Sequence, residues 1–408
     1  MTESNQKKTI VFVAADSWHS LLRAPQHLVT RLTKEFNIIF LEPGRAPEDN
    51  QAQKAVSGLK SIFKVESYSP MENLTVVPGI PNIPVFRTQF PKWLLKLTYP
   101  VTSRINFSYN IRHYKRALKQ LDVKDPIVLL WGFGDYGMDA HRFFDHIENA
   151  LSCYLVYDES PDFAHNKRIQ AQLRAADDLT CKKADVVMAT SKSQLDRRLH
   201  LNDNVVFMPN GVDFAMFNSP FEKGVEVPAD IIDLPKPIIG FSGWMGYQID
   251  VPLLLHTSKQ FPEASIVLLG PNTIPNSPEL DDLMQMPNVH FLGKKDPNEL
   301  ASYFQVFDAA IIPYILKGHV RYIYPLKLHE YLATGRAVVS TDLPNLYPHE
   351  DILRIAKTRD EFVEHIRAAF NDQSPEMVRA RIDEAKKYSW DDRAADITRI
   401  FNQSLQIA

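Results

Sequence analysis

Short, continuously apolar runs recur along this chain with helical patterns between them, and that alternation limits its fold more than any other feature. TIVFVAA (Thr9 to Ala15), NIIFLEP, PIVLLWGFG, CYLVYDE and DVVMATS are separated by helical periodicity over Ser20 to Phe36, near Asp139 to Ile147 and near Lys167 to Lys183. Runs of this length bounded by turn residues read as strands, and their repetition with helices reads as βαβ units. Continuous rather than alternating apolar character requires both faces of each sheet to be covered, as in parallel sheets. Four prolines between Phe217 and Pro237 interrupt the pattern and read as a connector. A second series follows: PIIGFSGWMG, a helix near Val251 to Gln260, SIVLLGP, VHFLGKK, a helix at Asn298 to Phe304, DAAIIPY and YPLKLHEYLATGRAVVS (Tyr324 to Ser340). The 408 residues exceed one ordinary core of ~150 residues, and 45% apolar content can fill two. The last stretch, Tyr388 to Ile407, is helical in pattern, with Trp390, Ile397 and Ile400 at core-like spacing.

Several function classes are disfavoured. MTESNQKK runs straight into the first apolar run, which is too short and wrongly flanked for a signal peptide, and no window reaches the ~18 uninterrupted apolar residues of a membrane span. Cys153 and Cys181 belong to no paired motif, so the expectation is a cytoplasmic chain without disulfides. A net charge of −3 gives no reason to expect nucleic acid as a partner. G-x-G-x-x-G after the first strand, G-x-x-x-x-G-K-[ST], G-x-S-x-G and zinc-ligand spacing are all missing, against dinucleotide, P-loop, serine-hydrolase and zinc chemistry. Charge distribution says more. No acid occurs from Asn73 to Leu121, where Arg87, Lys92, Lys96, Arg104, Arg112, Lys115, Arg116 and Lys119 interleave with Phe86, Phe90, Trp93, Tyr99 and Phe107. Such a segment either lies in an anionic headgroup layer, at ~1 kcal/mol per basic residue, or forms a helical subdomain with solvated cations.

In the YPLKLHEYLATG stretch, Pro325 suits a first helical position and Gly335 the left-handed residue that ends the helix. Lys317 and Arg321 precede it, so cations and free backbone N–H groups converge where an anion would fit. Glu330, three residues after Lys327, leans back toward that point. A carboxylate beside a diphosphate makes sense if it accepts hydrogen bonds from two sugar hydroxyls, worth ~1.5 to 3 kcal/mol each. The same spacing also fits a solvated Lys327–Glu330 pair worth ~0.2 to 0.5 kcal/mol.

Spread in order along the chain, LLRAPQHLVTRL, ADVVMATSKSQL, VFMPNGVD, IIGFSGWMG, SIVLLGP, PNVHFLGKK, ELASYFQVFDAAIIPY, YPLKLHEYLATGRAVVST and YSWDDRA give the sequence its resemblance to the GT-B glycosyltransferases, in particular the large retaining group 1 (family 4 type) of bacterial polysaccharide enzymes. The resemblance implies an α/β fold of two Rossmann-like parallel-sheet domains facing across a cleft. Residues 1–216 would bind acceptor, 217–386 the nucleotide-sugar donor, and 387–408 would form a helix crossing back to the first domain. It makes Glu330 the ribose-binding carboxylate, lets Pro325 and Leu326 offer backbone to the diphosphate, and sets Lys294 beside the base. Gly243, Trp244, Tyr322 and Tyr324 complete the expected donor side. The family usually carries a second glutamate eight residues before the ribose-binding one; here that position is Tyr322, which leaves the stereochemical course open.

Sugar transfer from a nucleoside diphosphate builds negative charge on the leaving group, for which Arg321 and Lys327 are the candidate cations. No Asp-x-Asp pair occurs, so the expectation is a metal-independent reaction with no cofactor. On the acceptor side an inverting reaction needs a general base. Asp158, at the end of CYLVYDE with Glu159 and Asp162 nearby, ranks first, although the same position suits a helix cap or a solvated loop. Asp135 in WGFGDYG follows, then His19 beside Asp16 and Trp18, a lone histidine that structural packing would equally explain. The expected partners are a nucleotide-sugar donor, with UDP the commonest carrier, a glycan or lipid-linked acceptor, and an anionic membrane surface reached through residues 73–121 on the inner face of the cytoplasmic membrane. Two rivals remain: a nucleotide-sugar epimerase on the same fold, and an inactive nucleotide-sugar-binding protein.

Overall fold

The computed structural model describes residues 7–19, 24–44, 66–80, 92–132, 134–157, 161, 166–223 and 226–407, without the side chains of 92–100, 102, 134–137, 220–223, 319, 321 and 407. It divides into two compact units, one of residues Met1–Met208 with Ala394–Ala408, the other of Pro209–Arg393.

The first unit contains β1 (Thr9–Val13), β2 (Asn37–Leu41), β3 (Tyr68–Met71), β4 (Leu74–Val77), β5 (Ile127–Trp131), β6 (Leu151–Val156), β7 (Val186–Ala189) and β8 (Val205–Phe207). They form one sheet in the order β3-β4-β2-β1-β5-β6-β7-β8, parallel throughout except for the β3–β4 pair. Every residue of β5, β6 and β7 is buried, which is why these segments are uniformly apolar. The helix Lys167–Lys183 starts on Asn166, whose side chain accepts the N–H groups of Arg168 and Ile169, and ends on Lys182 and Lys183 where the helix dipole favours cations. Asp177 on its inner face accepts from Arg198 at 2.6 Å and from the Tyr154 hydroxyl at 2.8 Å, tying two helices to β6.

The helix expected near Asp139 to Ile147 is instead a 3-10 segment, Gly134–Arg142, followed by one short α-turn, Phe143–His146. Gly134 and Gly137 lower the α-propensity of the first part, and the tighter i→i+3 pattern takes over. The helix Lys92–Gln120 turns Phe107, Ile111, Tyr114, Ala117 and Leu118 into the core. Phe107 is therefore a core residue and not part of a basic, aromatic surface.

The second unit contains β9 (Ile238–Ser242), β10 (Ser265–Leu269), β11 (Val289–Gly293), β12 (Ala309–Ile312), β13 (Val338–Thr341) and β14 (Arg354–Ala356). The order β11-β10-β9-β12-β13-β14 is all parallel and reverses between β9 and β12. A crevice opens at the carboxyl ends of the strands at such a reversal, and ligands of these sheets bind there. The proline-rich stretch read as a connector belongs inside this unit: Phe217 stacks on Phe304 at 5.5 Å and Ile231 is buried in the core.

Candidate functional site

Three neighbouring strands reach the carboxyl edge of the second sheet on glycines with left-handed or otherwise positive φ: Gly243 at +140°, Gly270 at +126° and Gly293 at +67°. The Gly243 N–H donates to the Leu269 carbonyl at 2.9 Å and the Gly270 N–H to the Gly293 carbonyl at 2.8 Å. A Cβ on Gly270 would stand 2.0 Å from the Gly243 carbonyl oxygen, so this edge must be bare backbone. Lys327 extends beside it. Its ammonium sits 5.1 Å from the Phe241 ring centroid and 4.8 Å from that of Tyr314, and donates to the Tyr314 hydroxyl. A Cβ on Gly243 would stand 3.1 Å from Lys327 Cε and Nζ. Aromatic faces fix the cation without neutralising it.

The helix Lys327–Ala333 carries this lysine and Glu330. It begins two residues after Pro325, so Pro325 lies outside the first helical position; its carbonyl accepts from the Leu328 N–H at 3.1 Å and starts the turn. The far end matches the expectation. Gly335, at φ +73°, donates to the Leu332 carbonyl at 2.9 Å while Arg336 donates to Tyr331 at 3.3 Å, a Schellman termination. At the near end the N–H groups of Leu326 and Lys327 meet no acceptor among the described residues.

Glu330 makes no hydrogen bond or ion pair with any described residue, so the surface pair with Lys327 is not formed. Its carboxylate keeps partial exposure but is otherwise enclosed by protein. Desolvation pushes its pKa up to about 7, with the positive charge of Lys327 pulling the other way. An enclosed carboxylate and N–H groups, unpaired among the described residues and beside a fixed cation, can receive a ligand carrying both hydroxyl donors and an anion.

The remaining donor-side residues distribute as follows. Trp244, 47% exposed, meets Tyr247 edge to face at the crevice rim. Lys294 is exposed directly after Gly293. Tyr322 is half-buried, and its carbonyl accepts from Asn345 at 2.8 Å. Arg321 lies in the 3-10 turn Gly318–Tyr322, and its side chain is outside the described residues. Tyr324 is buried, and its carbonyl accepts from Asn210 at 3.2 Å. This last bond joins the PNGVD motif to the donor loop. Neighbouring Gly211 packs so closely on Trp390 that a Cβ would lie 2.5 Å from the ring.

On the first unit, Asp158 and the nearby Glu159 and Asp162 lie outside the described residues, and Asp135 is on the 3-10 segment with its side chain likewise outside. His19 is exposed and stacks on Tyr68 at 5.3 Å. Sequence reasoning missed Glu42. This buried carboxylate accepts from the Trp18 N–H at 2.6 Å and the Tyr68 hydroxyl at 3.3 Å, holding the loop after β1 in place. The available signal was an acid placed directly after a buried strand in NIIFLEP.

The fold and its crevice define a GT-B architecture. Among solved structures, a sucrose-phosphate synthase from Thermosynechococcus elongatus matches with a TM-score of 0.69 at 14% identity, over 98% of this chain and 100% of that one. A trehalose-6-phosphate structure from E. coli bound with UDP-2-fluoro glucose matches with 0.68 at 10% identity, over 98% and 99%. A UDP-forming α,α-trehalose-phosphate synthase from Burkholderia xenovorans in complex with glucose-6-phosphate matches with 0.67 at 11% identity, over 98% and 100%. At the finer level, residues 236–372 match the family described as glycosyl transferases group 1. A teichuronic acid biosynthesis glycosyltransferase of Bacillus subtilis (strain 168), TuaH, is 27% identical over 174 residues, which cover 42% of this chain and 42% of that relative.

Proposed function

We propose that the protein transfers a sugar from a nucleoside diphosphate, most simply UDP, to a hydroxyl of a glycan or lipid-linked acceptor in cell-surface polysaccharide synthesis. The observation that carries the reading is Glu330: a carboxylate enclosed by protein, raised toward 7 and without a partner among the described residues, one helical turn from a fixed cation. In this reading the two ribose hydroxyls donate to Glu330. The diphosphate meets the N–H groups of Leu326 and Lys327, while the Lys327 ammonium, aided by Arg321, stabilises charge on the departing oxygen. Gly243 lets the phosphates approach the backbone, and Trp244 and Lys294 border the donor. These are protein cations, so the reaction needs no metal, and turnover should survive EDTA. The acceptor hydroxyl loses its proton to a base in the first unit, for which Asp158 is the first choice and Asp135 and His19 the next.

Membrane attachment is the finer part of the proposal. No helix among the described residues is long and apolar enough to cross a membrane. Val101, Ile105 and Tyr109, four residues apart on the helix Lys92–Gln120, are 60%, 40% and 44% exposed. Arg104, Arg112, Lys115 and Arg116 are exposed around them. An apolar stripe rimmed by cations suits an anionic headgroup layer. An open pocket of about 610 Å³ lined by Val101, Arg104, Ile105, Met138, Asp139, His141 and Arg142 lies along the same helix. The test of the whole is a nucleotide-sugar panel followed by NMR of the anomeric product with acceptor present. Release of free nucleotide without acceptor would favour an epimerase, and binding without turnover a catalytically inactive protein.

A further inference from the structure

Beneath the donor loop lies a buried polar chain with no part in the chemistry above. The Tyr324 hydroxyl sits 2.7 Å from His329 Nε2 and 2.8 Å from His349 Nε2. His349 Nδ1 lies 3.2 Å from Glu384 Oε1, and Lys387 donates to Glu384 Oε2 at 2.7 Å. Tyr388 stacks on His329 with centroids 4.0 Å apart and fixes its plane. Both imidazoles are held below their ordinary pKa, chiefly by burial, and are neutral near pH 7.

With neutral rings, the carboxylate facing Nδ1 of His349 favours one arrangement of protons along these contacts. Glu384 can only accept, so Nδ1 of His349 carries its hydrogen and Nε2 is bare. The Tyr324 hydroxyl donates to that nitrogen, and its oxygen accepts from Nε2–H of His329. His329 Nδ1 is then a bare lone pair, and it meets no partner among the described residues; His349 Nδ1 also makes no hydrogen bond of good geometry, so its contact with Glu384 is electrostatic. The chain runs one way, from His329 through Tyr324 and His349 to Glu384.

Its geometric effect falls on residues 322–326. Asn345 holds the carbonyl of Tyr322 at 2.8 Å, Asn210 holds that of Tyr324 at 3.2 Å, and the histidine pair holds the Tyr324 side chain. With carbonyls and ring fixed, the backbone that carries the N–H groups of Leu326 and Lys327, unpaired among the described residues, is held in place. We infer that Tyr324, His329, His349 and Glu384 are positioning residues that pre-orient these two N–H groups for the distal phosphate of a nucleoside diphosphate. The inference rests on the donor-site reading above.

Calorimetry on the full chain with UDP, GDP and ADP, each against its monophosphate, separates the possibilities. Tyr324→Phe keeps the ring and removes only the oxygen. Affinity for the diphosphate that wild type binds should fall tenfold or more, while the monophosphate of the same base changes less than threefold. Glu384→Gln retains an acceptor oxygen and should match wild type, whereas Glu384→Ala should lose at least threefold on the diphosphate alone. Equal loss on both nucleotides, or no loss in Tyr324→Phe, overturns the positioning role and leaves the donor site standing. Wild type that binds none of the three diphosphates overturns the donor-site reading together with this one. Should Tyr324→Phe fail to fold, the Glu384 pair, near the surface, decides alone.

Discussion

Glu330 is a carboxylate held in protein without a partner among the described residues, and its protonation should govern both stability and binding. Its folded pKa, about 7, lies above the ordinary 4.5, so between those values the folded chain binds the proton more tightly than the unfolded one. The stability this group contributes is therefore fully present below about pH 4.5 and is lost as pH rises through about 7. Glu330→Gln should remove that part of the slope, which thermal melts of both proteins across pH 4 to 8 would reveal; parallel curves would mean an ordinary carboxylate. The ligand reverses the preference, because two hydroxyl donors favour the ionised form. Nucleotide affinity should climb with pH and level off above about 7, and Glu330→Ala should cost at least ~1.5 kcal/mol at the plateau by calorimetry. Glu330, Lys327 and Gly335 were legible in sequence because one short helix encodes their spacing. Glu42 and the Tyr324 chain were not: Glu42 reaches Trp18 across 24 residues, and Tyr324 reaches His349 across 25. No local pattern records such pairings.

Among elements, the alternation of apolar runs and helices anticipated the parallel sheets, because each strand buried on both faces must be apolar along its length. The helices Lys167–Lys183 and Val251–Gln260 have the limits their sequence patterns suggest. Residues 217–237 misled because proline content is a local property, whereas the stacking of Phe217 on Phe304 is not. The termination of the Glu330 helix offers a sharp test. Gly335→Ala would force a side chain into φ +73° and set its Cβ 2.7 Å from Val378 Cγ1. A loss of roughly 1 to 2 kcal/mol is expected from the backbone alone, read as a lowered urea midpoint with an unchanged slope.

For the molecule as a whole, the testable feature is the long helix of the first unit. Flotation with vesicles containing anionic lipid should recover the protein, and reversing charge at Arg104, Arg112 and Arg116 should release it. Val101→Ser with Ile105→Ser should weaken recovery even at low salt. Recovery that persists in the charge-reversed protein would remove the membrane from the proposal. Asp158→Asn should abolish transfer and leave donor affinity intact; retained turnover would pass the search for a base to Asp135 and His19.

The first unit is discontinuous in the chain, since residues 394–408 belong with residues 1–208. Within it Ile397 and Phe401 are fully buried, and the Phe401 ring meets Phe36 edge to face at 6.1 Å. A ribosome therefore finishes the eight described strands of that unit, then translates the whole of the other, before supplying these side chains of the first core. At ~5 to 20 residues per second the wait is on the order of 10 s or longer. Through that interval Phe36 and the side chains around it lack the apolar cover that Phe401 gives them in the finished fold.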